Sequence, residues 1–335
     1  MDIAWTTALQ VALPVVLQAL LQALLPIALL ATLALRTPAS RAGFWAHSIV
    51  TALVLPALAL AARWTLLPWW TPYLYAVALL AVGAALHGAR ALPSPRWPAG
   101  RTGRAHLMAC AVTGLAAALL CAEALRGRIA QGEAALDLQF PLPAGDYLVL
   151  DGGNTRLVNA NRAAGTDDAA SLGIDLVRLN GAGLRAEVPA SPDPTRYFMH
   201  GTRVLSPCDG SVLDVHDGRA ERPVPGDDTA SPLGNRVRLQ CGDAIVTLAH
   251  LREGSLRVRP GDTVTIATLL ARVGNSGAAT EPSLHMHAER AGKPLLLRFD
   301  GRSLVRNDRI GVARAARHPA AVRAAASAPE NPASP

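Results

Sequence analysis

The sequence predicts a chain in two parts: an N-terminal all-α region of four membrane-spanning helices, then a C-terminal all-β antiparallel domain of the sandwich or barrel type. Three observations predict it. Half of the residues are hydrophobic and only 17% are charged, against about a quarter charged in an average soluble chain. The shortfall lies before about Arg126, where Ala and Leu dominate; after it Asp, Gly, Arg and Thr mix in. And beyond about Leu136 the apolar residues fall into short runs separated by turn residues, a strand pattern rather than a helix pattern.

The helices come first. A bilayer core about 30 Å thick takes about 20 apolar residues per helix. Four stretches meet that length: about Ala8 to Leu35, Phe44 to Ala62, Pro72 to Ala89 and Ala105 to Leu125. The first is too long for a cleavable signal peptide and has no basic stretch before it. Arginine placement sets the orientation, because loops left in the cytoplasm keep the positive charge. Arg36 and Arg41 follow the first helix, and Arg90, Arg96, Arg101 and Arg104 follow the third. Arg63 alone follows the second, beside Trp64, Trp69 and Trp70, which suit a membrane interface. Both termini are then outside, at the cost of Arg126 and Arg128 just after the last helix. Gln10, Gln18 and Gln22 in the first helix are expected to hydrogen-bond between helices. No Asp, Lys or Arg lies between helix ends, so the helices read as an anchor in the lipid bilayer and not as a transport path.

The strands follow. Runs such as Tyr147 to Leu150, Ser211 to Val215, Arg236 to Leu239, Ala244 to Ala249 and Leu269 to Val273 alternate with Asp209-Gly210, Asp217-Gly218, Gly242-Asp243 and Gly261-Asp262, each read as a hairpin signal. The expected division is an anchor over residues 1–128, an extracytoplasmic β domain over 129–310 and a disordered Ala/Pro/Arg-rich tail over 311–335.

A net charge of +7 invites a nucleic-acid partner, but the arginines are dispersed and interleave with no aromatics, so nucleic acid is excluded. Cys110 and Cys121 read as packing residues of a helix. Cys208 and Cys241 can form a disulfide if the domain is outside the cytoplasm, or remain two core thiols.

Local motifs run in order through the second half: Leu172-Gly173-Ile174-Asp175-Leu176, Gly201-Thr202-Arg203-Val204, Pro207-Cys208-Asp209-Gly210-Ser211-Val212, Gly234-Asn235-Arg236-Val237, Leu248-Ala249-His250-Leu251, Val258-Arg259-Pro260-Gly261-Asp262-Thr263-Val264, Val273-Gly274-Asn275-Ser276-Gly277 and Glu281-Pro282-Ser283-Leu284-His285-Met286-His287. Together they resemble the core of lysostaphin-type (LytM) peptidoglycan endopeptidases, over about residues 159–289. The resemblance implies an antiparallel β-sandwich with a duplicated hybrid motif, and zinc-dependent cleavage of peptide cross-links in bacterial cell wall. It also implies a bacterial inner-membrane protein, multi-pass, with its β domain periplasmic.

The family's zinc ligands are a His four residues before an Asp, that Asp, and the second His of a His-x-His motif; two further His are catalytic. Carried over, these positions are Ser171, Asp175 and His285 for zinc, and Ser283 and His250 for catalysis. Two of the five are serine, a poor substitute for imidazole. A rescue is open: Ser283, His285 and His287 alternate along a strand and share a face, so His285 and His287 can chelate one zinc with Asp175 while His250 acts as acid or base. Asn159 and Asn161 are weaker donors upstream.

Two functions follow. One is a membrane-anchored peptidoglycan metalloendopeptidase with an altered zinc site. The other is a catalytically inactive domain that binds cell wall or activates or scaffolds another wall hydrolase. A carrier-domain role would need a lysine in a hairpin turn, and the single lysine, Lys293, lies beyond the core hairpins.

Overall fold

The computed structural model describes residues 13, 15–36, 39–89, 95–129, 132–162, 168–226, 228 and 230–313. Helices run over Val15–Leu35, Arg41–Ala61, Thr71–Ala89 and Arg101–Arg126. Three of these, by length and composition, are apolar enough to cross a membrane; the apolar part of the other, Thr71–Leu86, is shorter than a full span. The expectation of four full spans is therefore met by three among the described residues. Gln10 and the expected start of the first helix lie outside them.

The first helix widens into a π turn at Leu20–Leu24. Pro26 has no N–H, so the Gln22 carbonyl four residues back loses its helical donor. The Tyr75 hydroxyl donates to it at 2.7 Å. The buried Gln22 side chain donates to the Arg63 carbonyl (2.6 Å) and accepts from the Leu66 amide (3.1 Å). Its polar end thus holds the loop after the second helix in place. The second and fourth helices pack through Val50, Val54, Ala57, Cys110 and Ala117. Gly114 faces Val50 in the same seam.

The β domain has strands β1 (Ala135–Leu138), β2 (Gly145–Asp151), β3 (Ile174–Leu179), β4 (Arg203–Leu205), β5 (Gly210–His216), β6 (Asn235–Cys241), β7 (Ala244–Leu251), β8 (Thr263–Val264), β9 (Leu269–Arg272), β10 (Leu284–Arg290), β11 (Lys293–Phe299), β12 (Arg302–Ser303) and β13 (Arg309–Val312). One large sheet runs β13-β2-β3-β10-β7-β6-β5-β8, with β11 joined to β10, β1 and β12; β4 and β9 form a separate ribbon. Every pairing is antiparallel except β1 with β11. Inward-pointing Tyr147, Ile174, Leu176, Leu239, Leu248, Met286 and Leu297 make the core. Of the four Asp/Gly dipeptides, only Gly242-Asp243 forms a two-residue hairpin, with Cys241 opposite Ala244 and Gly242 at φ +62°. The others lead into or out of longer connections, because β4 pairs with β9 and not with β5. Cys208 and Cys241 are joined by a disulfide across a Cα–Cα distance of 5.9 Å. The strand β13 carries the ordered chain to Val312, past the expected start of the tail; residues 314–335 lie outside the described ones.

The domain is seated on the helices by named contacts. Asn307 donates to the carbonyls of Ala59 and Ala62, each at 2.9 Å, and Arg306 to that of Ala61 at 2.9 Å. These are C-terminal carbonyls of the second helix, which have no helical donor of their own. Arg63 pairs with Asp151 at 2.6 Å. Trp70 Nε1 donates to the Ala182 carbonyl, and the Arg309 guanidinium lies 4.9 Å from the Trp69 ring. At the other end of the helices the first and third loops meet, the Arg41 and Ala42 amides donating to the carbonyls of Pro95 and Arg96.

Candidate metal centre

The centre is laid down by β10 and its two neighbours. Leu284, Met286 and Ala288 point into the core, so Ser283, His285 and His287 fall on the opposite face. Antiparallel pairing sets His285 level with Asp175 of β3 and with Ala249 of β7. His250 arrives by a bulge. On β6 the step from Asn235 to Val237 is two residues, while their partners on β7, Leu251 and Leu248, are three apart. Both leucines stay in the core, and the extra residue is absorbed where His250 sits at φ +60°. Strict alternation would have turned His250 to the Leu248 face; the bulge turns it to the His285 face.

Asp175, His250 and His285 are buried, and each presents a ligand atom within 4.8 Å of the other two. His285 Nδ1 lies 3.0 Å from Asp175 Oδ1, and the His250 and His285 rings meet edge to face at 5.7 Å. Each of the three has a partner of its own behind it. The Asn161 amide donates to Asp175 Oδ2 at 2.7 Å. His250 Nδ1 donates to the Ser276 carbonyl at 2.9 Å, which leaves its Nε2 lone pair free. His285 Nε2 meets His287 Nδ1 at 3.0 Å.

His287 therefore touches the edge of the His285 ring remote from Asp175. The chelate expected from the sequence, His285 and His287 on one ion with Asp175, is not the set that converges; Asp175, His250 and His285 is. The cause is the strand itself: two residues on one face are side by side, but the two nitrogens of an imidazole diverge. Ser171, in the short 3-10 turn Ala169–Leu172, and Ser283, just ahead of β10, are both buried. Asn159 is fully buried and donates to the carbonyls of Gly153 and Gly173, each at 3.0 Å. It pins the segment that delivers Asn161.

Three contributors have roles that sequence reasoning did not give them, Asn161 having been read as a weak ligand. Asn161 positions Asp175. Ser276, quoted as part of a glycine-flanked motif, orients His250. Gly173 is a space requirement: a Cβ there would lie 2.8 Å from His285 Cε1 and 2.9 Å from the Ala170 carbonyl. Gly173→Ala is expected to push the imidazole off its position and weaken metal retention at least about tenfold, the scale of an outer-shell defect; metal titration of the variant measures it.

Electrostatics prepare the donors. Burial drives His250 down to about 4, with the facing His285 adding to it, and drives His287 to about 3. Burial by itself would raise the Asp175 carboxyl, but His285, His250 and the Asn161 amide outweigh it and hold the group below the usual carboxylate range. The result is a neutral His250 imidazole and an Asp175 carboxylate, the forms that bind metal, with His287 neutral behind His285. For the metal-free protein this fixes a pH dependence. The unfolded histidines take up protons near pH 6.5 while the folded ones do not, so stability is full above that pH and is lost as pH falls toward 4. Each histidine contributes about 1.4 kcal/mol per pH unit in that window. Denaturation of the metal-free protein between pH 7 and 4 tests it, and His250→Gln is expected to flatten the slope.

One carboxylate and two imidazoles are the donor types of a catalytic zinc, which takes three protein ligands and a water. Beside it a groove of about 520 Å³ is lined by His287, Arg219, Arg236, Arg238, His216 and Glu289.

Residues 195–296 match the model of peptidase family M23. The match takes in His250, Ser283, His285 and His287 and stops short of Ser171 and Asp175. No curated protein matches the chain. Similar solved structures include a zinc-containing peptidase from Vibrio cholerae, at 20% identity and TM-score 0.29 over 49% of this chain and 39% of that one. The catalytic domain, in mutant form, of the prophage-encoded M23 protein EnpA from Enterococcus faecalis is 18% identical, TM-score 0.28, over 44% and 87%. The catalytic domain of lysostaphin from Staphylococcus simulans is 15% identical, TM-score 0.24, over 46% and 79%. The chain spans about two fifths of the length of the Vibrio cholerae protein.

Proposed function

We propose that this chain, which carries a lysostaphin-type domain of peptidase family M23, is a membrane-anchored peptidoglycan endopeptidase whose zinc shell has been rebuilt. The observation that carries the reading is the buried convergence of Asp175, His250 and His285. In this reading Asp175 and His285 keep the family's places as ligands, and His250 closes the shell in place of the histidine that Ser171 replaces. Asn161, His287 and the Ser276 carbonyl orient the three, one behind each. When His285 binds metal through Nδ1, its Nε2–H donates to His287, so His287 holds the ring's tautomer. Bound zinc supplies a Lewis acid for a peptide carbonyl and a water acidified toward neutral pH. The groove beside His287, with three arginines, receives the carboxylate-bearing stem peptide.

The reading places the β domain on the extracytoplasmic side. Arg36, Arg41, Arg96, Arg101 and Arg104 sit at the end of the helices away from the domain. Arg126 and Arg128, at the domain end, pair with Glu123 (2.9 Å) and Asp308 (2.8 Å), and the larger number of arginines at the far end supports the reading by the positive-inside rule. The Cys208–Cys241 disulfide suits an oxidising compartment.

Purified full-length chain is expected to retain zinc and to release peptide fragments from purified peptidoglycan, and His250→Ala to lose the cleavage. The second reading, a domain that binds wall or a partner hydrolase without cutting, rests on Ser171 and Ser283, both buried where the family has imidazoles. Sedimentation with peptidoglycan but no zinc and no cleavage would decide for it.

A further inference from the structure

A second set of metal-type donors lies among the membrane helices, far in the chain from the β domain. His47 of the second helix and His106 and Cys110 of the fourth offer ligand atoms all within 4.8 Å of one another. His106 and Cys110 are four residues apart and so stand one above the other on a single helix face, with Cys110 Sγ 3.6 Å from His106 Nε2. The His47 ring stacks on that of His106 at 5.9 Å and 24°. Thr32 of the first helix comes within 3.0 Å of His47 Nε2.

His47 and His106 lie within two turns of the helix ends that carry Arg41 and Arg101, and Cys110, one turn deeper, is buried; two imidazoles and a thiol gathered there are donors of one metal type. A packing role explains Cys110 alone, since a buried thiol behaves as a small hydrophobe. It does not explain two histidines brought from different helices to the same thiol. A cavity of about 250 Å³ adjoins them, lined by Thr32, Arg36, Ser40, Phe44, His47 and His106.

We infer that His47, His106 and Cys110 form a second metal site, for a borderline-soft divalent ion of the zinc class. Thiolate with imidazole selects such an ion over magnesium or calcium, which take oxygen. Three protein ligands leave a fourth tetrahedral position. The cavity that His47 and His106 line would admit a fourth ligand, and Arg36 on its wall suits an anionic one. The site is independent of the one in the β domain.

Cobalt(II) separates the two, because only a thiolate ligand gives a sulfur-to-cobalt charge-transfer band in the near ultraviolet. The experiment uses full-length protein in detergent without reductant, so that Cys208 and Cys241 stay paired and supply no thiolate. The band is expected in wild type, in His285→Ala and in Cys121→Ser, and is expected to vanish in Cys110→Ser. If Cys110→Ser does not fold, judged by gel filtration and circular dichroism, His47→Gln and His106→Gln carry the test and should each abolish or strongly weaken the band. Wild type that binds no cobalt, cobalt bound without the band, or a band that survives Cys110→Ser would overturn the inference.

Discussion

His285→Ala is expected to abolish metal retention at the proposed zinc centre of the β domain and, with it, the proposed wall cleavage. The residue is the hub of the arrangement: it lies 3.0 Å from Asp175 on one ring edge and 3.0 Å from His287 on the other, and its face meets His250. Loss of a partner that only orients a ligand costs about 10–100-fold in metal affinity, so loss of this ligand should exceed about 100-fold. His287→Gln provides the internal scale. As an outer partner it should fall within about 10–100-fold; as a direct ligand it would match His285→Ala. Zinc titration of the two variants beside wild type reads the difference. Equal losses would return His287 to the shell, and full retention in His285→Ala would remove the site altogether.

Asp151→Asn is expected to loosen the β domain from its anchor and destabilise the protein by about 3–5 kcal/mol, the cost of removing one partner from a buried ion pair. Asp151 is only 3% exposed. It receives Arg63 at 2.6 Å, the Arg306 guanidinium, and the Ala160 amide at 3.0 Å. Without the carboxylate, two cations face each other with no anion between them. Arg306 also donates to the carbonyls of Leu150, Ala61 and Leu157, so the damage spreads to the helix end it caps. Asp151 stands opposite Asp175 across β2 and β3, and zinc retention should fall as well. Thermal unfolding in detergent measures the effect. A loss below about 1 kcal/mol, the size of a solvent-exposed pair, would mean that the pair is solvated and not structural.

Much of this was legible in the chain. Apolar length announced the helices and short apolar runs announced the strands, because both depend on local periodicity; of the turn signals only Gly242-Asp243 closed a two-residue hairpin. The positions of Asp175, His250 and His285 were legible from motif order, since each is tied to a neighbouring glycine or leucine in a strand. Alternation put His287 on the His285 face, but it gives the face of a strand and not the direction of a ring nitrogen, so its place beside His285 Nε2 was not legible. His47 and His106 were not singled out. Each is a lone histidine in its own apolar run, and only the His106–Cys110 spacing of four carried a signal. Asp151, at the end of a strand, carried none.

The sequence by itself determined that apolar helices come first, that a β domain follows, and which residue types are present for metal chemistry, since these follow from composition and from periods of 3.6 and 2. Only the tertiary structure decided which donors meet. A one-residue bulge turns His250 toward His285, the pairing register sets Asp175 level with His285, and helix packing brings His47 to His106 and Cys110. Each of these is a contact between segments far apart in the chain, and no local pattern encodes its geometry.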